Sequence, residues 1–228
     1  MSHSLDSPFP VYVWELPVRI WHWTMALCMS VLAVTGYLIG SPPEAVGGEA
    51  SQHFLFGYIR FAHFAAAYVF TVVLVMRALW ALVGNSYSRE IFLVPLKMLD
   101  AKWWRLFIGQ AKHYLFLQRE VPPWRGHNPL AMMAMFFMYL LGSAFMVCTG
   151  FAMYGEGAGA TSWAHATFTV WVLPLLGYSQ NVHTLHHLGM WYLLLFTMVH
   201  VYMTLREDIC TPEAVISTMI NGWRTSRR

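Results

Sequence analysis

Four histidines, His183, His186, His187 and His200, stand in a largely apolar run, HTLHHLGMWYLLLFTMVHVY. An ionisable side chain in a segment long and apolar enough to enter a bilayer is costly to place and marks a functional site by default. On an α-helix, residues 14 apart differ by about 40° in direction and about 21 Å in height. His186 and His200 therefore share one face, near opposite sides of a hydrocarbon layer about 30 Å thick. His187 points about 140° away from His200 and His183 about 100° away, so helical geometry singles out the 186/200 pair. Two imidazoles at that spacing suit two metal centres, one in each leaflet, and histidine is a usual axial ligand of haem iron.

The elements that must position such centres are membrane helices. Of the 228 residues, 57% are hydrophobic and only 11% are charged, which is membrane composition. The net charge of +3 is small and there is no basic stripe outside the loops, which argues against nucleic acid as a partner. Cys28, Cys148 and Cys210 are far apart, with no CxxC and no CxxCH. Zinc, iron–sulfur and covalent c-type haem sites are therefore not indicated, and any haem must be b-type, held by histidine alone. Copper or zinc is further disfavoured because no Cys, Met or carboxylate is placed as a third ligand within the spans. The first 18 residues lack a basic region followed by an early apolar core, so no cleaved signal peptide is expected.

Hydropathy predicts an all-α integral membrane protein with spans at about 18–39, 57–83, 130–153 and 186–205, each near the ~20 residues a crossing requires. The segment 84–128 holds Arg89, Lys97, Lys102, Arg105, Lys112, Arg119 and Arg125, and the tail holds Arg206, Arg224, Arg227 and Arg228. Residues 40–56 and 154–184 contain no Lys or Arg. The positive-inside rule then places loop 84–128 and both termini in the cytoplasm, with 40–56 and 154–185 as periplasmic loops. Residues 1–17 read as a polar arm. Within the long loop, Trp103, Phe107, Tyr114 and Leu115 can share a face, with Lys102, Arg105 and Lys112 elsewhere, which predicts an interfacial amphipathic helix. Residues 163–178 are apolar but short and contain Pro174; a crossing there would put the basic tail outside, so a surface-lying segment is expected. A faint repeat joins the ends of spans one and three, VTGYLIG and CTGFAMYG.

This topology assigns depth. His63 and His186 fall on the periplasmic side and His22 and His200 on the cytoplasmic side, giving one bis-histidine site per leaflet in a four-helix bundle. Arg60 and Arg77 in span two read either as snorkelling side chains or as counter-charges for haem propionates, Arg60 outside and Arg77 inside. Gly36, Gly150 and Gly189 would admit a flat macrocycle to the backbone or serve close helix packing. His127, Asn128 and Pro129 stand where the cytoplasmic loop meets span three. Asn before Pro is an ordinary helix-start signal; the functional alternative is a quinone head-group site, with Asn128 donating a hydrogen bond and His127 relaying protons. His3, His53, His113 and His165 read as surface or interface residues, and His183 and His187 as supports for the outer site or bystanders.

The runs YVWELPVRIWHW, VTGYLIGSPP, GYIRFAHF, GNSYSRE, GHNPLA, TGFAMYGEG, HTLHHLGMW, LREDI and ISTMINGWR resemble the b-type cytochrome subunit of membrane-bound nickel–iron hydrogenases, which is related to formate dehydrogenase cytochrome b subunits. The resemblance spans about Val11 to Arg224. It implies a diheme cytochrome b with ligands at His22, His63, His186 and His200, the set reached from depth. It also implies a quinone site near the inner haem at Asn128, with His200 close by. The implied partners are the periplasm-facing hydrogenase small subunit, with its iron–sulfur clusters and membrane anchor helix, the large subunit, lipid and membrane quinone. The expected location is the bacterial inner membrane. The chain has no paired CxxC to hold nickel and iron, so it is expected to carry electrons and not to split hydrogen itself. The alternatives are the same cytochrome serving another periplasmic dehydrogenase of the formate type, and a haem-free membrane anchor.

Overall fold

The computed structural model describes residues 10–44, 53–118, 126–210 and 214–225. His3, Arg119, Arg125, Arg227 and Arg228, most of the expected arm and part of the first outer loop lie outside the described residues. The architecture is helical, with four helices among the described residues long and apolar enough to cross a membrane. They are α1, Leu16–Gly40; α2, Leu55–Val83; the continuous span Pro129–Ala158; and a final helix, Ser179–Cys210. Each start and stop has a local cause. Pro17 stands at the second position of α1, where its missing N–H costs nothing, and Pro42 and Pro43 follow its end. The third span begins where the Asn128 side chain accepts from Ala131 N at 2.8 Å with Pro129 next in line. It ends at Gly159, whose φ of 91° closes the helix.

Between α2 and the third span lie α3 (Ser86–Arg89), α4 (Val94–Lys97) and α5 (Ala101–Tyr114). The third span comprises α6 (Pro129–Ala134), a π-helical stretch (Met135–Leu140) and α7 (Leu141–Ala158). A second π-helical stretch (His165–Thr169), α8 (Val170–Leu176), α9 (Ser179–Cys210) and α10 (Val215–Asn221) complete the helices among the described residues. The helices outrun the hydropathy windows: α9 starts seven residues before His186. Hydropathy marks what a bilayer core accepts, whereas Ser179, Gln180, Asn181 and Thr184 are polar yet helix-compatible.

The chain divides into two compact units. Unit 1 holds Met1–His22, Met76–Tyr139 and Phe196–Arg228, and unit 2 holds Trp23–Val75 and Leu140–Leu195. In unit 2, Ala152, Val172 and Val182 form a buried cluster on which Phe168, Leu173 and Leu176 pack. His165–Leu176, about 18 Å of helix, is too short to cross a bilayer. It lies against α7, where Thr169 Oγ1 donates to Ala152 O at 2.8 Å. A Cβ on Gly155 would stand 2.5 Å from His165 N, so glycine is what lets the two backbones approach.

In unit 1 the first and last described segments meet. β1 (Val11–Tyr12) pairs antiparallel with β2 (Trp223–Arg224), Val11 opposite Arg224 and Tyr12 opposite Trp223. Gly222 turns into β2 at φ 89°, in space where a side chain would collide with Tyr12 and Trp14 O. α5 buries Trp103 and Gln110, and Trp103 stacks on Phe107 at 5.8 Å between ring centres. Leu115 does not share that face: at 100° per residue it stands about 120° round the helix from Trp103, and it lies exposed just beyond the end of α5 at Tyr114.

Glu15 ties the arm to the end of α2. Its Oε2 accepts from Asn85 N (2.9 Å), Trp80 Nε1 (3.0 Å) and Ser88 Oγ (2.9 Å), while Asn85 Nδ2 donates to Val13 O at 2.9 Å. Burial alone would raise the Glu15 pKa; these donors, with Arg77 nearby, outweigh it and hold the carboxyl below its ordinary value. A carboxylate depressed in this way contributes stability that is present above the unfolded-state pKa and lost as pH falls through the folded one. Glu15→Gln is therefore expected to cost about 1–2 kcal/mol at neutral pH. The gap in thermal midpoint between wild type and variant should narrow below about pH 4. A gap that stays constant with pH would mean the carboxylate charge plays no part.

Candidate functional site

Each unit holds one pair of the expected histidines. In unit 2, His63 comes from α2 and His186 from α9. His63 Nδ1 lies 2.9 Å from Thr35 Oγ1 on α1, and His186 Nδ1 lies 2.8 Å from Thr149 Oγ1 on α7. The neighbouring glycines make room for the rings. A Cβ on Gly36 would stand 3.3 Å from His63 Cε1, and one on Gly150 would stand 3.3 Å from His186 Cε1. The groups these two glycines admit directly are therefore the imidazoles. Gly189 serves packing: a Cβ there would fall 2.5 Å from Met146 Sδ. His63 is also within electrostatic reach of His186.

In unit 1, His22 from α1 and His200 from α9 face each other with ring centres 6.3 Å apart. Phe196 stacks on His200 at 5.8 Å and 18°. Trp21 lies edge-on to both His22 (6.5 Å) and Tyr139 (5.8 Å). Tyr139 belongs to the π-helical stretch, a distortion that recurs at functional sites. Arg77 is 3% exposed, with its guanidinium 5.2 Å from the rings of Trp21 and Phe92. Its Nη2 donates to Ser88 O at 2.6 Å. Its Nε and Nη1 are buried with no hydrogen-bond partner among the described residues. Arg60 is different: it is exposed, with its guanidinium 5.8 Å from the Phe64 ring.

These arrangements fit haem b. Two imidazoles bound on opposite sides of one metal by bonds of about 2 Å place their ring centres about 6 Å apart. The His22–His200 separation matches that span. The His63/His186 pair has Nδ1 engaged on both rings, which leaves Nε2 for iron. The unpaired nitrogens of Arg77 suit an anionic group such as a propionate.

Asn128 is occupied locally. Besides capping α6, its Nδ2 donates to Tyr114 Oη at 2.9 Å. His127 N donates to Glu90 Oε2 at 3.0 Å, and its ring lies 4.8 Å from that of Trp14. His187 accepts from Trp191 Nε1 at 3.1 Å, and His183 Nδ1 pairs with Ser179 O at 3.0 Å. His113 Nδ1 pairs with Gln118 O at 3.1 Å. His53 is exposed, and His165 N is held by Ser162 Oγ. Sequence reasoning missed Thr35, Thr149, Trp21 and Tyr139. The repeated Thr-Gly in VTGYLIG and CTGFAMYG was the signal for the first two.

The profile of a family described as prokaryotic cytochrome b561 matches residues 13–222. The chain belongs to that family: it is an integral membrane cytochrome of the b type, and b-type haem is the group the family implies. It is 54% identical over 214 residues to a protein of Cupriavidus necator named probable Ni/Fe-hydrogenase B-type cytochrome subunit, covering 94% of this chain and 86% of that one. An Azotobacter vinelandii protein of the same name is 52% identical over 214 residues, covering 94% and 88%. The probable Ni/Fe-hydrogenase 1 B-type cytochrome subunit of Escherichia coli K12 is 48% identical over 228 residues, covering 100% and 96%.

Proposed function

We propose that this chain is the diheme cytochrome b subunit of a membrane-bound nickel–iron hydrogenase, passing electrons from the iron–sulfur small subunit to membrane quinone. The observation that carries the reading is that His22 faces His200 in one unit, while His63 lies within electrostatic reach of His186 in the other, each of the latter held at Nδ1 by a threonine. The names of the relatives support the partner. His63 and His186 would hold the periplasmic-side haem, and His22 and His200 the cytoplasmic-side haem. Haem b at these positions supplies one-electron redox chemistry with no covalent attachment. The chain's own residues set the environment. Trp21, Tyr139 and Phe196 line the inner pair with apolar surface, and Arg77 adds a fixed positive charge beside it.

The whole chain serves as one membrane domain, with both termini and loop 84–128 in the cytoplasm. The hydrogenase small and large subunits sit on the periplasmic side of the bacterial inner membrane, held in part through the small subunit's anchor helix. The charge-poor outer segments 40–56 and 154–185 suit that contact. Lys and Arg concentrated in 84–128 and the tail support this orientation.

Hydrogen added to membranes containing the complete complex is expected to reduce two b haems per chain, and a quinone analogue to reoxidise them. No b-type absorbance in a folded preparation would leave the haem-free anchor as the better account. Reduction by formate through a different co-purifying partner would assign the chain to another dehydrogenase.

Asn128 tests the quinone end with a finer pair of variants. Asn128→Asp keeps a cap acceptor but loses the amide donor; Asn128→Ala loses both, with about 1 kcal/mol of capping. Slowed hydrogen-to-quinone transfer is expected in both, with haem content unchanged. Wild-type rates in Asn128→Asp would leave Asn128 as a helix cap alone.

A further inference from the structure

We propose that Thr35 and Thr149 are twin positioning residues that lock His63 and His186 in the tautomer presenting Nε2 to iron and set the electron-donating strength of both rings. The inference rests on the reading of His63 and His186 as outer haem ligands. It follows from counting hydrogens. A threonine hydroxyl has one hydrogen to donate. Thr35 Oγ1 gives it to Val31 O, 2.6 Å away and one turn earlier on α1. Thr149 Oγ1 gives it to Phe145 O at 2.8 Å, one turn earlier on α7. Toward the imidazoles each oxygen is then an acceptor. At 2.9 Å and 2.8 Å it takes the proton of His63 Nδ1 and His186 Nδ1. With Nδ1 protonated, a neutral ring carries its lone pair on Nε2, the atom left to bind iron.

Burial makes the constraint firm. Thr35 is 8% exposed and Thr149 1% exposed, so water does not compete freely for either hydroxyl. The adjacent glycine completes the device. Gly36 and Gly150 each leave space against Cε1 of the same ring that the threonine holds, so a Thr-Gly pair grips one edge of each imidazole. Two helices supply the same device to two ligands, which gives the VTG and CTG repeat a physical meaning. Hydrogen bonding from Nδ1–H raises the basicity of a ligating histidine. A more basic ligand favours the ferric state, so these threonines hold the outer midpoint potential down.

The test uses the intact complex, with Thr35→Val and Thr149→Val set beside Thr35→Ser and Thr149→Ser. Valine keeps the volume and removes the acceptor; serine keeps the hydroxyl. Each valine variant is expected to raise the ferrous-to-ferric ratio of the outer haem about tenfold at fixed ambient potential, which is ~59 mV for a one-electron couple. The serine variants should titrate as wild type, and the inner haem should not move in any of them. Loss of the outer haem in valine variants but not in serine variants would equally support the hydroxyl's role. An unchanged outer midpoint in both valine variants would overturn the inference. So would an equal shift, or equal haem loss, in valine and serine variants. His186→Ala serves as the control. If it retains the outer haem, the ligand reading itself has failed. If it loses that haem while the valine variants titrate as wild type, only the role of the threonines has failed.

Discussion

His200→Ala is expected to reduce the haem content of the purified chain from two b haems to one, and His186→Ala to do the same with the other haem lost. On the proposed reading, each substitution removes one of the two histidines that would hold a haem, and alanine offers no replacement. The other histidine of the pair remains, so weakly held haem with an altered spectrum is the most that would persist. The lost ring also leaves a cavity beside Phe196 in one case and beside Gly150 in the other. Cavities of this kind cost about 2–5 kcal/mol, so helicity and monodispersity must be measured alongside haem. The two variants are informative together because the two pairs belong to different compact units. A redox titration of each should show a single component, and the two components should differ. One haem in wild type, unaffected by His200→Ala, would leave the outer site standing and require a different electron exit. No haem at all would leave a structural anchor.

The sequence made the helical class legible because a bilayer imposes a simple rule: long apolar runs, interrupted by charge only at a cost. His186 and His200 could be paired by angle alone, since both lie on one helix and helix geometry is fixed. What could not be read locally depends on contacts between distant segments. The pairing of Val11–Tyr12 with Trp223–Arg224, and the Glu15 knot with Trp80, Asn85 and Ser88, join residues 65 or more positions apart. No periodicity announces such contacts. The threonines fall between these cases. Thr35 and Thr149 stood in a visible repeat, but an apolar-looking helix gives no hint of which neighbour a hydroxyl meets. Asn128 shows the converse: the helix-start signal accounts for its Oδ1, and Tyr114, unforeseen, accounts for one of its amide hydrogens.

Arg60 and Arg77 looked alike in sequence, two arginines in one span, and their surroundings differ. Arg77→Gln is expected to lower the midpoint of the inner haem, whereas Arg60→Gln should barely change the outer one. A unit charge about 7 Å from a redox centre, at an effective dielectric near 20, contributes about 2 kcal/mol, or roughly thirtyfold in the ferrous-to-ferric ratio. Arg77 is buried against Trp21, the residue that also lies against His22, and two of its nitrogens have no other partner among the described residues. Arg60 is exposed, so solvent and salt screen it. Arg77→Gln also takes a donor from Ser88 O and a cation from between Trp21 and Phe92, so some stability must be lost with the charge. Arg77→Lys separates the two effects. Lysine keeps the charge but not the planar fork, so it should hold the inner midpoint near wild type while the thermal midpoint falls. If Arg77→Gln lowers stability and leaves the potential where it was, Arg77 is a packing residue and the inner haem takes its counter-charge from elsewhere.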